Sequence, residues 1–343
     1  MTMRLSDAFD YQAQACTTLG SPFMGQLCRV LATRLVRGTP LTDRLFDWQG
    51  DIGPRGDSVP LRLCGALHAL RLQGGAALTA VYPPHIATDD ALWLAVSQVL
   101  ADHTDFIDAF IYSPPQTNEV RRAAALIAAG HMISNHFPNP MRVSELGASA
   151  GLNLNWDHFA LDINGTRLGP PNATVTLAPD WTGATPPMTM PKVVERRGVD
   201  LNPVDPATDS LRLRAYLWPD QPHRRILTDA ALALPHAPVD KADAIDWLAT
   251  RLPHIAGQTH MIYTTVAWQY FPAEKQRDGL RMIETAGATA TPDTPLAFVQ
   301  MEDDGGDNGA ALTLRLWPNT SGSDAPLTLG RVDFHGRWVD WTA

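Results

Sequence analysis

Apolar residues recur at helical spacing through the first 137 positions. Phe9, Ala13, Cys16 and Leu19 line one face of a first helix, and Gly20-Ser21-Pro22 stops it. Leu27, Val30, Leu31 and Leu35 mark a second. Leu63, Leu67 and Leu70 mark a third, which ends at Gly74-Gly75. Tyr82-Pro83-Pro84 is a loop, and Thr88-Asp89-Asp90 opens a helix with acids in its first turn, as the helix dipole favours. A further helix is expected from about Asn118 to Ser134, before Asn135–Pro140 breaks the chain.

From Met141 the pattern changes to short apolar runs alternating with helical stretches. Arg142–Leu146 predicts a first strand and Leu152–Phe159 its helix. Residues 161–192 read as an insertion rich in Gly, Pro and Thr, with a hairpin at Asn164-Gly165. A second strand runs from Val193 to Asp200. Asp209–Trp218 and Arg224–Leu234 predict helices, and Asp243-Ala244 ends a short third strand. His260–Val266 and Leu296–Met301 are buried strands, with a helix over Ala273–Ala286 between them. Ala311–Trp317 and Leu327–Trp341 predict a terminal antiparallel pair. The expected architecture is α/β: a helical N-terminal domain over residues 1–137, then a Rossmann-like domain over 138–343 that closes in a C-terminal antiparallel hairpin.

Composition narrows the function classes. The 343-residue chain is 45% hydrophobic, enough for a sizeable core. Met1–Asp10 lacks the basic-then-apolar pattern of a secretory signal, and no apolar run approaches the ~20 residues of a membrane span. A cytoplasmic protein without membrane contact is therefore expected. The net charge of −9 and the lack of long Lys/Arg runs disfavour nucleic acid as a partner and leave a small-molecule substrate. Cys16, Cys28 and Cys64 are unclustered in sequence and predict neither disulfides nor a zinc site, and the histidines form no metal-binding motif.

The chemistry concentrates in Val143-Ser144-Glu145-Leu146-Gly147-Ala148-Ser149-Ala150-Gly151-Leu152-Asn153-Leu154. A strand ends in an acid, a turn of only small residues follows, and a helix is expected behind it, aiming its N–H groups at a ligand. A dinucleotide fingerprint needs glycines at 147, 149 and 152, and two of these are Ser149 and Leu152. The nucleophile elbow G-x-S-x-G fits literally, with Ser149 as nucleophile and Asp243 and His335 following in the order of a hydrolase triad. A βα turn without a ligand is the bland alternative.

Glu145-x-Gly147-x-Ser149-x-Gly151 also resembles the acid-x-G-x-G-x-G loop of class I S-adenosylmethionine (SAM) methyltransferases, with Ser in place of the middle Gly. That resemblance implies that Gly147, Ala148, Ser149 and Gly151 wrap the methionine part of SAM, with Asn153 beside them. It implies that Glu145 meets the ligand's ammonium, Asp200 the ribose and Asp243 the adenine, with Trp268 as a stacking surface. Against these stand an Asx turn at Asp200, a helix N-cap at Asp243 and core packing for Trp268. Glu302 and His335 are the candidate catalytic bases; a solvated loop acid and a structural turn histidine are the alternatives. The Asn/Asp-Pro-Pro-aromatic turn of amino-directed methyltransferases is absent from Thr264–Tyr270. A binding protein with a degenerate SAM site remains a third reading.

Gly20-Ser21-Pro22, Glu145–Leu154, Asp200-Leu201-Asn202-Pro203, Trp218-Pro219-Asp220-Gln221 and His335-Gly336-x-Trp338 together resemble a bacterial family of unknown function, the one numbered twenty-three thirty-two. The resemblance spans nearly the whole chain and carries no activity. It implies a methyltransferase-like Rossmann domain behind a helical N-terminal region.

Overall fold

The computed structural model describes residues 3–54, 56–306, 308–319 and 325–343. The chain forms two compact units. One comprises residues 1–117 and 207–225, the other residues 118–206 and 226–343.

The first unit is helical. Helices Leu5–Thr18, Pro22–Arg34, Val59–Leu72 and Asp89–Asp102 lie where the apolar spacing predicts them. Pro40–Phe46 and Thr104–Tyr112 are additional. The first of these two is a short helix defined by its cap, in which Thr39 and Thr42 bond reciprocally, rather than by an apolar stripe. The core gathers Phe9, Leu27, Leu31, Leu63, Leu67 and Tyr82, with Cys16, Cys28 and Cys64 buried among them. Residues 207–225 are integral to this core. Asp220 accepts from the Ser21 hydroxyl and from the Phe23 N–H at 2.9 Å, so it caps helix Pro22–Arg34. Gly65 leaves room for the Tyr216 ring, which a side chain at 65 would strike.

The second unit is a mixed α/β structure around a nine-stranded, mostly parallel sheet. Its strands are β1 (Met141–Leu146), β5 (Asp180–Gly183), β6 (Val193–Asp200), β7 (Val239–Lys241), β8 (Thr259–Thr265), β9 (Leu296–Glu302), β10 (Ala310–Trp317), β11 (Leu327–Val332) and β12 (Trp338–Trp341). β2 (Ala160–Ile163), β3 (Thr166–Leu168) and β4 (Thr176–Leu177) form a separate small sheet. The β2–β3 turn is the expected Asn164-Gly165, with both residues at positive φ as a tight hairpin requires. The large sheet runs β5-β12-β11-β10-β9-β8-β1-β6-β7. β1 pairs in parallel with β6 and β8, and all six of its residues are buried. That burial forces its polar side chains to find partners. Arg142 does so by donating to the carbonyls of Arg251 and Pro253, the latter at 2.7 Å. It thereby satisfies the C-terminal end of helix Ala244–Arg251.

Several elements depart from expectation. The run 327–341 is two strands, because Asp333 accepts from the His335 and Arg337 N–H groups and turns the chain. The C-terminus is therefore a meander of β10, β11 and β12 rather than one hairpin. The insertion supplies β5, which pairs in parallel with β12. The helix expected from Asn118 is a 3-10 turn, Val120–Arg122, followed by helix Ala123–His136. No helix among the described residues is long and apolar enough to cross a membrane.

Three buried histidines make stability acid-sensitive. Burial lowers the His68 pKa from 6.5 to about 4, burial lowers that of His131, and burial beside Arg142 and Arg251 lowers that of His260. The unfolded chain binds these protons first as pH falls below 6.5, so each group withdraws stability on the way down. His68 alone removes about 3 kcal/mol by pH 4. Thermal melts from pH 7 to 4 should show Tm falling from near pH 6.5. His68→Asn keeps a donor for the Ala215 carbonyl and should flatten part of that limb. An identical limb in the variant would exclude His68 as a source.

Candidate functional site

The strand order of the large sheet reverses at β1. The chain steps outward through β6 and β7 on one side, then through β8 and β9 on the other. In open α/β sheets, ligands bind beyond the carboxyl ends of the strands at such a reversal. Here that reversal lies between Glu145–Gly151 and Thr265–Trp268. A strained residue stands on each side: Ser149 has φ +53° and Val266 φ +56°. A β-branched residue in this region is an outlier costing on the order of 1–3 kcal/mol.

Glu145 lies near the carboxyl end of β1 and is 1% exposed. In register it stands beside Tyr263 on β8. The Tyr263 hydroxyl approaches its Oε2 at 3.5 Å and donates to the Asn153 carbonyl at 3.2 Å. No cation among the described residues lies within 4 Å of the carboxyl group. Burial pushes the Glu145 pKa well above the carboxylate range, and the charge of Asp200 adds to this. Tyr263 and Arg122 act in the other direction.

The turn after β1 is held chiefly by the protein itself. The Gly147 and Ala148 N–H groups donate to the Val199 carbonyl at 2.9 and 3.0 Å, and the Ser149 N–H donates to Asp200 Oδ2 at 2.9 Å. A Cβ at Gly147 would strike Ala267, so this glycine lets the loops after β1 and β8 meet. Gly151 makes the same allowance for Val239. The expected α-helix behind the turn is a 3-10 run, Leu152–His158, with Asn155 off helical geometry. Its three polar Asn and Asp residues favour side-chain bonds over helix. Asn155 bonds the Pro235 carbonyl and Arg196, and the Leu152 N–H is taken by Asn118. The turn thus lacks the row of open helix N–H groups that the sequence suggested. It does hold two unsatisfied atoms: Ser149 Oγ and Asn153 Oδ1 are buried with no hydrogen-bond partner.

The remaining candidates have structural duties. Asp200 spans the turn, accepting from Ser149 with one oxygen and from the Asn202 N–H at 2.9 Å with the other, the geometry of an Asx turn. Asp243 caps helix Ala244–Arg251 through the Ile245 and Asp246 N–H groups and pairs with Lys275 at 3.2 Å. Trp268 packs against Phe271 and Phe298 in the core. Glu302 accepts from the Ala267, Trp268 and Gln269 N–H groups at 3.1–3.3 Å and so fixes the loop after β8. Its burial raises its pKa, and those N–H groups oppose the shift. His335 sits in the turn held by Asp333. Ser149 Oγ touches no imidazole, so the hydrolase triad is not assembled in this arrangement. Ser144 and His260 do pair, at 2.9 Å, but Arg142 donates to His260 Nδ1, which leaves the proton on Nε2. That tautomer donates to the serine and cannot activate it.

Sequence reasoning missed the segment 118–122. Asn118 takes the Leu152 N–H, Asn153 donates to the Glu119 carbonyl, and Arg122 donates to the carbonyls of Phe334 at 2.9 Å and Thr265 at 3.1 Å. This polar run ties the turn after β1, the end of β8 and the β11–β12 turn together. Its signal was Asn-Glu-Val-Arg-Arg directly ahead of an apolar helix. Two cavities lie elsewhere in this unit. One of about 630 Å³ borders β10 near Trp317 and Arg315, and one of about 350 Å³ borders His158 and Pro170; Glu145 lines neither.

The model of a family described as an uncharacterized protein conserved in bacteria (DUF2332) matches residues 6–341. No curated protein matches the chain.

Ser149 and Gly147 yield opposite expectations for stability. Ser149→Gly removes both a positive-φ strain and an unsatisfied buried hydroxyl, and should raise stability by about 1 kcal/mol. Gly147→Ala places a methyl group on Ala267 at φ +78° and should cost about 2 kcal/mol or more. Chemical denaturation of both variants measures this. A loss of stability in Ser149→Gly would mean that the hydroxyl has a structural partner.

Proposed function

Since the chain belongs to DUF2332, a family with no assigned chemistry to inherit, we propose from its own geometry that the second unit is a SAM-dependent methyltransferase acting on a small molecule. The observation that carries this reading is the buried Glu145, without a cationic partner among the described residues, at the reversal between β1 and β8. The order β7-β6-β1-β8-β9 supports it, with β10 antiparallel beside β9. So do the acids at the ends of β1 and β6, which bracket the turn of small residues.

The residues fit the polar end of such a ligand better than its length. Ser149 Oγ and Asn153 Oδ1 are buried acceptors without a donor, beside the buried carboxyl group of Glu145. Asp200 accepts from the Ser149 and Asn202 N–H groups and, at the end of β6, is the acid that would meet ribose hydroxyls. When bound, SAM supplies an activated methyl group. The chain's contribution is to hold and orient the reactants, and the strained residues 149 and 266 help set that geometry. With its carboxylate engaged by three N–H groups, Glu302 acts as a positioning residue for the loop after β8 rather than as a base.

The engagement of Glu302 also favours a second reading, a protein that binds SAM without turnover. The two part on whether methyl-labelled SAM passes its label to a small-molecule extract. Binding itself is tested by calorimetry with SAM, S-adenosylhomocysteine and NAD. The first two should bind and NAD should not. Asp200→Ala should weaken binding by about 1–3 kcal/mol, and Asp200→Asn should do less harm. Silence toward SAM at millimolar concentration would overturn the proposal.

A further inference from the structure

We propose that Cys28 and Cys64 are a redox pair, which a peroxide joins in a disulfide that ties helix Pro22–Arg34 to helix Val59–Leu72. The proposal concerns the first unit and is independent of the SAM reading.

The chain has three cysteines, and no two stand close together in sequence. The fold gathers them. Cys16, Cys28 and Cys64 lie on three different helices, Leu5–Thr18, Pro22–Arg34 and Val59–Leu72, and all three are buried in one core. Cys28 touches both of the others. Its Sγ is 3.8 Å from that of Cys64, and it shares a hydrogen bond with Cys16. A buried cysteine alone is a small apolar residue. Alanine would fill such a place without a sulfur, yet every thiol of this chain is drawn into one contact group.

Thiols in contact can hold a soft metal ion or form a disulfide. Among the described residues, no three His, Cys, Asp or Glu side chains are placed to hold a metal ion. The geometry suits the disulfide. Bonded sulfurs are ~2.05 Å apart, so Cys28 and Cys64 must approach by less than about 2 Å, a movement that two side chains share. The Cys16 sulfur accepts from Gln12 Nε2 at 3.3 Å, on its own helix, and is engaged there. Cys64 is therefore the partner of Cys28.

The chemistry balances with one peroxide. One thiol attacks it as the thiolate, the sulfur takes an oxygen as a sulfenic acid, and the O–O bond breaks to release water. The second thiol then attacks that sulfur, and the hydroxyl group leaves with its proton as a second water. The two sulfurs lose two electrons and the peroxide gains them. The hydrogen bond with Cys16 favours the Cys28 thiolate. The bond with Cys64 and burial outweigh it and hold this thiol well above its ordinary range. Oxidation therefore waits until the helices part locally, and a bridge formed in this core is shielded from reductants in the same way. The pair is a slow and lasting record of oxidant exposure.

The test is treatment of the folded full chain with hydrogen peroxide. The protein is then unfolded, alkylated without reductant and analysed by mass spectrometry. The wild type should lose two hydrogens, keep Cys16 as its one alkylated thiol, and yield peptides joined through Cys28 and Cys64. Dithiothreitol should open the bridge at least roughly 10-fold faster in denaturant than in native buffer. Cys16→Ala should keep the bridge and Cys64→Ala should abolish it. The bridged protein should unfold at a higher temperature, because residues 36 apart in sequence are tied in the unfolded chain. Three alkylated thiols in the treated wild type would overturn the proposal. A bridge to Cys16, or sulfinic acid without a bridge, would do the same, and none of these readouts needs a variant to fold. An unchanged unfolding temperature in the bridged protein would remove the tie between the helices.

Discussion

A central strand buried on every side has no room for an unsatisfied polar group, yet β1 carries Arg142, Ser144 and Glu145. Each of the first two is satisfied by an element far away in sequence. Arg142 closes the end of helix Ala244–Arg251, and His260 from β8 meets Ser144. These bonds fix where the helix and strand must sit, since an uncompensated charge at that depth would cost several kcal/mol. Among the described residues, Glu145 has no cation within ion-pair distance to match it. The strand that organises the unit therefore leaves one group uncompensated, and it does so at the point where the sheet reverses direction.

The loops around that point are held by side-chain acceptors rather than by regular structure. Asp200 secures the turn after β1, Glu302 the loop after β8 and Asp333 the turn between β11 and β12. Each carboxylate gathers main-chain N–H groups that would otherwise be unsatisfied. This explains why acids that look catalytic in the sequence have structural duties. A carboxylate at the end of a strand has the same appearance whether it faces substrate or the protein's own backbone.

The helices of the first unit were legible because each has an apolar face with a recurring period. β1, β8 and β9 were legible as short apolar runs, and the Asn164-Gly165 hairpin from its turn chemistry. The division of 327–341 was not, because Phe334 and Trp338 continue the alternation through the Asp333 turn. The docking of β5 on β12 depends on pairing between distant residues, which no local pattern records. The turn of small residues was found correctly, but its glycines proved to accommodate Ala267 and Val239. Tyr263 escaped notice because only the register of β8 beside β1 brings it to Glu145.

The first unit is discontinuous in the chain, and this has a consequence for synthesis. Asp220 caps helix Pro22–Arg34, and Tyr216 fills the space above Gly65. A nascent chain that ends at residue 117 lacks both. Almost ninety residues of the other unit, among them β1 and β6, must leave the ribosome before the helical core can close. The part of the protein made first is thus not the part that can be finished first, and its exposed apolar faces must wait for residues 207–225 to arrive.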